Sequence, residues 1–434
     1  MKFYIYTLGC KVNTYESAVM RDMMLNAGYI EATSDEIADI YIINTCTVTN
    51  TADHKSLKLI RQAIRKNPNA LVLAVGCLVQ NDKEMVMQVD GVDVMIGNIH
   101  KSNIVSYVEK YLKEKKQIVD VEDISQTFFE KMQLNNFDRT RAFVKIQDGC
   151  NNFCSYCIIP YTRGNVRSKD PKDVIEEITK LVRQGHREVV LTGIHTGNYG
   201  AEFENYGFAD LLEELVLIPG LERLRISSIE ITELDDHFME VLNKHSILVD
   251  HMHIPLQSGS DTILKLMNRK YDKTYFINKI EEIRKIRPEM SVSTDVIVGF
   301  PYETEELFME TVDTIQKIRF SKLHVFPYSK RTGTVASTMD EQVPEIIKKE
   351  RVKTLLTLSK ELEHSYMEQY VGKVVTFIPE VYKNGYLIGH TGNFLSVKVS
   401  GSEDMLYQDV NVLIETIEYP YCVGKIVEKE IVCS

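Results

Sequence analysis

The sequence predicts an α/β protein in three parts: an amino-terminal α/β domain on a parallel sheet, a central partial (βα)6 barrel, and a small carboxy-terminal β-barrel. Three observations predict it. Strand-like runs alternate with helical periods over residues 1–114, six further strand signals recur at βα spacing after residue 139, and short strands with Gly-bearing turns occupy the end. The 434 residues are 44% hydrophobic and 26% charged, with 22 Gly and 11 Pro, which excludes disordered, collagenous and low-complexity classes. No run approaches the roughly 20 apolar residues of a membrane span, and Met1-Lys2-Phe3-Tyr4 leads straight into folded-looking sequence, so a cytoplasmic location without membrane association is expected. A net charge of −11 excludes a histone-like role and leaves room only for a local basic face.

In chain order, an alternating run at 3–8 leads through Gly9-Cys10 to a helix, with Asn13 and Glu16 at the spacing of a capping box, that stops at Gly28. A strand at 39–44 reaches Thr45-Cys46 and precedes a helix over 52–66. A third at 71–75 reaches Gly76-Cys77. Residues 115–138 are polar and weakly periodic and are read as a linker. Barrel strands are expected at 142–147, 188–191, 223–227, 250–254, 292–298 and 322–326, closed by a long helix over 344–370. From 374 to 432, turns at Asn384-Gly385, Thr391-Gly392-Asn393 and Ser400-Gly401 separate short strands. The implied domains are 1–114, 139–370 and 371–434.

The cysteines carry the chemistry. Cys150, Cys154 and Cys157 fall within eight positions directly after the first barrel strand, where barrel loops build active sites. Three thiolates on a 4Fe-4S cube leave one iron open to substrate, whereas structural zinc takes a closed tetrahedron; buried free thiols are the plainer alternative. Cys10, Cys46 and Cys77 each follow the carboxyl end of a predicted strand, and in a parallel sheet those ends share one ligand-binding edge. A second metal-binding trio or three core thiols both fit. Cys422 and Cys433 have no matching partners and are read as structural or incidental.

The Cys150-x3-Cys154-x2-Cys157 spacing, with Tyr156 before the last cysteine, resembles the radical S-adenosylmethionine (SAM) signature. The runs Thr7-Leu8-Gly9-Cys10-Lys11-Val12-Asn13, Asn44-Thr45-Cys46-Thr47-Val48-Thr49, Gly76-Cys77 and Pro160-Tyr161-Thr162-Arg163-Gly164 extend the likeness to the radical SAM methylthiotransferase family across essentially the whole chain. Lys11-Val12, the run from Leu191 to Gly200, and His324-Val325-Phe326-Pro327-Tyr328-Ser329 are similar to the branch acting on N6-threonylcarbamoyladenosine in tRNA; the isopentenyladenosine branch carries Gln-Met at Lys11-Val12. One departure is Lys330-Arg331-Thr332-Gly333-Thr334, where that branch has Pro-Arg-Pro-Gly-Thr.

The resemblance implies an amino-terminal cluster domain, a radical SAM barrel and a terminal TRAM domain. It implies two 4Fe-4S clusters, one on Cys150, Cys154 and Cys157 that binds SAM, and one on Cys10, Cys46 and Cys77 that presents sulfur. The reaction implied is methylthiolation at C2 of the threonylcarbamoyl-modified adenosine beside the anticodon, with an electron donor such as flavodoxin or ferredoxin. Tyr156, Gly193, Ser228 and Glu230 are expected near SAM. The tRNA anticodon arm is expected at Lys58, Arg61 and Arg65 of the basic helix and at Arg163 and Arg167 of the cleft. The terminal domain, with five Lys and no Arg against eight Asp and Glu from residue 371 on, adds no bulk attraction. Alternatives are the same chemistry on isopentenyladenosine or on a ribosomal-protein aspartate, and a noncatalytic iron–sulfur protein that binds RNA or senses redox state.

Overall fold

The computed structural model describes residues 1–125, 128–135 and 141–428. They form two compact units, the first from the described residues of Met1–Phe137, Ala142–Gly220 and Ser329–Met339, the second from those of Asp138–Arg141, Leu221–Tyr328 and Asp340–Ser434.

In the first unit, β1 (Lys2–Thr7), β2 (Ile30–Glu31), β3 (Ile40–Thr45), β4 (Leu71–Gly76), β5 (Val94–Ile96) and β6 (Ile118–Asp120) form one parallel sheet ordered β2-β1-β3-β4-β5-β6. β3 and β4 are buried end to end, as strands covered on both faces must be, which is why they read as unbroken apolar runs. Pairing of Thr7 with Asn44 and of Thr45 with Gly76 keeps three strand ends level. The chain order reverses between β1 and β3, the point at which a doubly wound sheet opens a crevice. Cys10 and Cys46 leave the sheet there.

Two features depart from expectation. β6 lies inside the stretch read as a linker, and Met132 and Leu134 of the same stretch are buried in this unit. Residues 126–127 and 136–138 of that linker lie outside the described residues. The first helix spans Lys11–Asn26 with Cys10 at its N-cap and no side-chain cap bond, so Asn13 and Glu16 form no capping box. Both are buried and serve the site described below. The helix Asn50–Lys66 is capped by Thr49, whose side chain accepts from the Ala52 N–H at 3.2 Å, and it buries Leu57, Ile60 and Ala63.

The six barrel strands divide between the units. β7 (Arg141–Lys145), continued by β8 (Gln147–Asp148), which pairs antiparallel with β9 (Arg167–Ser168), and β10 (Glu188–Thr192) belong to the first, except that Arg141 is assigned to the second. β11 (Arg223–Ile226), β12 (His251–His253), β13 (Ser291–Val298) and β14 (Lys322–Pro327) belong to the second, with β12, β13 and β14 paired in parallel. The long helix Glu345–Glu368 follows. β15 (Val374–Lys383), β16 (Tyr386–Thr391), β17 (Ser396–Ser400), β18 (Val410–Glu418) and β19 (Tyr421–Ile426) close a barrel ordered β15-β16-β17-β19-β18 around Phe377, Leu387, Val397 and Val412. Cys422 is a core thiol of this barrel; Cys433 lies outside the described residues. Among the described residues no helix is long and apolar enough to cross a membrane.

Candidate metal centres

The structure brings Cys10, Cys46 and Cys77 together in the first unit. Gly9 makes the approach possible: it has φ +96°, and a Cβ there would lie 2.8 Å from the Cys46 Sγ. The Cys46 N–H donates to Ser56 Oγ at 3.2 Å, and that hydroxyl donates back to the Cys46 carbonyl at 3.1 Å. Asn98 Nδ2 donates to Cys77 Sγ at 3.5 Å, and Cys10 Sγ lies 3.9 Å from Asn13 Oδ1. Burial, then the Cys77 sulfur, push the Cys46 thiol up to about 12. Cys10, open at its surface yet ringed by protein atoms, is raised by lost hydration against the pull of Arg163, and Cys77 raises it further. Two thiols raised in this way beside a third sulfur are a site for a core that supplies positive charge.

Neither cysteine trio has the mutual 4.8 Å spacing of ligand atoms seen at His100, Asp120 and Glu122 among the described residues. Tetrahedral zinc would bring its thiolates to about 3.8 Å.

Cys150, Cys154 and Cys157 are half-buried on the loop after β8. The Cys150 N–H donates to the Gly164 carbonyl at 3.0 Å and the Cys157 N–H to the Cys154 carbonyl at 2.9 Å, which folds the loop back on itself. The Asn152 N–H donates to Cys150 Sγ at 3.5 Å, and His195 Nδ1 lies 3.7 Å from the same sulfur. Gln147 ties this loop to the one after β10: its amide donates to the Asp148 and Gly149 carbonyls at 2.8 and 2.7 Å and accepts from the His195 N–H at 2.7 Å. At Gly193 a Cβ would come within 2.9 Å of Gln147 Oε1 and 3.1 Å of Thr196 Oγ1, so only a bare backbone edge fits. Tyr156 is half-buried. In the second unit Ser228 is half-buried, and the Glu230 carboxylate is held by Arg269, whose guanidinium lies over the Tyr271 ring 4.9 Å from its centroid.

Arg163 and Arg167, expected at the tRNA, are buried instead. Arg163 is fully sealed; its Nη1 donates to Glu16 at 3.0 Å and to both Asp148 oxygens at 3.2 Å, and its Nη2 donates to Asn13 Oδ1 at 2.7 Å. Lys101 reaches Glu16 at 2.5 Å, Lys145 reaches Glu16 at 2.8 Å and Asp148 at 2.6 Å, and Arg167 lies 3.6 Å from Asp148. Burial alone would raise Glu16, but Arg163, Lys101 and Lys145 hold it well below the usual carboxylate range. Asp148 is depressed in the same way by Lys145, Arg163 and Arg167. Arg163 is too well partnered to meet a phosphate, and its electrostatic neighbours include Cys77 and Cys10.

Lys58, Arg61 and Arg65 do face outward along the helix Asn50–Lys66, opposite its buried stripe. Sequence reasoning missed Asn98, Gln147 and the site roles of Asn13 and Glu16. A buried amide leaves no periodic signal, and the Asn13/Glu16 pair imitates a cap. Arg331, in the loop that departs from the resemblance, forms a buried ion pair with Asp53 and donates to Thr47 Oγ1 at 2.7 Å, beside Cys46.

Comparison with known proteins matches the two stretches that carry these cysteines. The Radical SAM superfamily matches residues 144–315, and the family described as "Uncharacterized protein family UPF0004" matches residues 2–97. The threonylcarbamoyladenosine tRNA methylthiotransferase MtaB of Bacillus subtilis is 45% identical over 98% of this chain and 97% of its own length. A tRNA-2-methylthio-N(6)-dimethylallyladenosine synthase of Clostridium botulinum is 35% identical over 95% of this chain and 94% of its own. Among solved structures, the radical SAM methyltransferase TsrM of Kitasatospora setae superposes with a TM-score of 0.55 at 13% identity, over 75% of this chain and 72% of its own, which speaks to the fold alone.

Proposed function

The chain belongs to the radical SAM methylthiotransferases of tRNA, and from that membership we propose that it places a methylthio group on C2 of N6-threonylcarbamoyladenosine beside the anticodon. The near-full-length identity of 45% to a relative named for that nucleoside, against 35% to one named for dimethylallyladenosine, carries the reading.

Cys150, Cys154 and Cys157 would hold a 4Fe-4S cluster that binds SAM, and Cys10, Cys46 and Cys77 a second. When bound, the first supplies reductive cleavage of SAM and the second supplies sulfur, chemistry no side chain can perform. The residues position these groups. The Asn152 N–H stabilises the Cys150 thiolate, and the bare edge at Gly193 receives the amino group of SAM. Tyr156 contributes to the SAM pocket; Ser228 and Glu230 of the second unit, where Arg269 sets the Glu230 carboxylate, are assigned to SAM on their strand-end placement alone. Lys58, Arg61 and Arg65 bind phosphates of the anticodon arm. The protein works in the cytoplasm and takes its electron from a flavodoxin or ferredoxin.

Mass spectrometry of hydrolysed tRNA from a deletion strain tests the reading. The methylthio form of threonylcarbamoyladenosine is expected to vanish and to return with the wild-type chain. Loss of methylthio from isopentenyladenosine or from a ribosomal-protein aspartate, with this nucleoside intact, overturns the substrate assignment.

A further inference from the structure

Some buried charges of the first unit are matched one to one. Lys169 pairs with Glu177 and Arg331 with Asp53, one cation to one anion. The network beneath the Cys10 trio instead gathers Lys101, Lys145, Arg163 and Arg167 around only Glu16 and Asp148, every side chain at most 7% exposed. Two positive charges are left over. Nε of Arg163 and both Nε and Nη1 of Arg167 lack hydrogen-bond partners. A buried uncompensated charge costs several kcal/mol, so an anion is owed to this network. The thiols of Cys77, Cys10 and Cys46 are unspent acidic groups in electrostatic reach of Arg163.

We propose that Arg163 and its neighbours are the built-in counter-charge of the Cys10–Cys46–Cys77 centre, and that Arg163 is the positioning residue tying that centre to the Cys150 loop. The proposal rests on the reading that this trio holds a 4Fe-4S cluster. Three thiolates on an oxidised cube carry one negative charge, and two after one-electron reduction, the same size as the surplus. The same guanidinium fixes Asn13, three residues after Cys10, and Asp148, two residues before Cys150, while the carbonyl of the next residue, Gly164, accepts the Cys150 N–H. Arg163 touches neither sulfur by a hydrogen bond; it sets the charge and the alignment around them.

The experiment uses the full chain with Cys150, Cys154 and Cys157 all replaced by alanine, reconstituted anaerobically with iron and sulfide and titrated redox-spectroscopically by electron paramagnetic resonance. The parent is expected to bind about four irons. Arg163→Gln should lower the reduced-to-oxidised ratio at fixed potential about tenfold, equivalent to about 59 mV for one electron, because the more negative reduced form loses its counter-charge. Glu16→Gln should move the ratio the opposite way, and Arg163→Lys should leave it within threefold of the parent. With all six cysteines restored, Arg163→Lys should release 5′-deoxyadenosine while forming at least tenfold less methylthio product, since a single ammonium cannot span Asn13 and Asp148. A parent without iron sinks the second-cluster reading itself. An iron-loaded parent in which Arg163→Gln and Glu16→Gln shift the ratio in the same direction, or not at all, overturns the counter-charge while leaving the cluster in place. Should Arg163→Gln not fold, an unmoved or lowered ratio in Glu16→Gln overturns it equally.

Discussion

The two cysteine trios of the first unit are built in opposite ways. Cys150, Cys154 and Cys157 come from one short loop whose backbone bonds fold it locally. Cys10, Cys46 and Cys77 come from three strands and meet because a parallel sheet levels its strand ends. The local trio is half-buried and its loop is tied down by Gln147 to the loop after β10, whereas the distributed trio is stiffened by Ser56, Asn98 and a sealed charge network. A trio made by sequence spacing can be flexible and still assemble. One made by topology depends on everything that keeps the sheet in register.

The sharpest break of this comparison comes from single cysteines. Cys150→Ala should abolish both SAM cleavage and product. Cys77→Ala should keep 5′-deoxyadenosine formation and lose methylthio transfer below detection; chromatography of both products from one reaction separates the two outcomes. Robust product from Cys77→Ala would remove the distributed trio from the chemistry.

Next in size is Gly9→Ala, which forces a Cβ against the Cys46 sulfur in a left-handed backbone region costing roughly 1–2 kcal/mol. Iron analysis should show loss at the distributed trio with about four irons kept at the local one. Equal loss from both would mean that they do not assemble independently.

A smaller effect is expected at the tRNA. Replacing Lys58, Arg61 and Arg65 by glutamine should flatten the dependence of log affinity on log salt by about 2 to 3 if each meets one phosphate. An unchanged slope takes the helix Asn50–Lys66 out of tRNA binding.

The smallest sharpens the role of the sealed network. Glu16 has its folded pKa depressed, so its stabilisation is complete above the ordinary glutamate value near 4.3 and is lost as pH falls through the folded value. Melting of the metal-free protein between about pH 6 and 3 should show a decline on acidification that Glu16→Gln flattens by a few degrees. Identical pH profiles would show that Glu16 stays charged throughout, or contributes nothing.

Strand positions were legible because apolar runs and punctuating glycines are local signals; β3, β4 and β10 begin and end within a residue of expectation. The local trio was legible from spacing alone. The distributed trio was legible only as a coincidence of strand ends. Its surroundings were not: Asn13 and Glu16 read as a helix cap, and Arg163 and Arg167 as surface cations, because nothing in a sequence marks a charged residue that will be sealed against another charge. β6 was missed because three residues of pattern inside a polar stretch do not stand out.

The loop Ser329–Met339 belongs to the first unit although both of its flanks belong to the second. Through it Arg331 neutralises Asp53 and anchors Thr47, 284 positions upstream and next to Cys46. During translation the amino-terminal thiols therefore leave the ribosome long before Arg331 is made, and Asp53 waits for its partner cation until the distal chain emerges. Fragments cut near Gly220 strand a buried aspartate, and their failure to load iron would report the missing loop, not a defect in the cysteines.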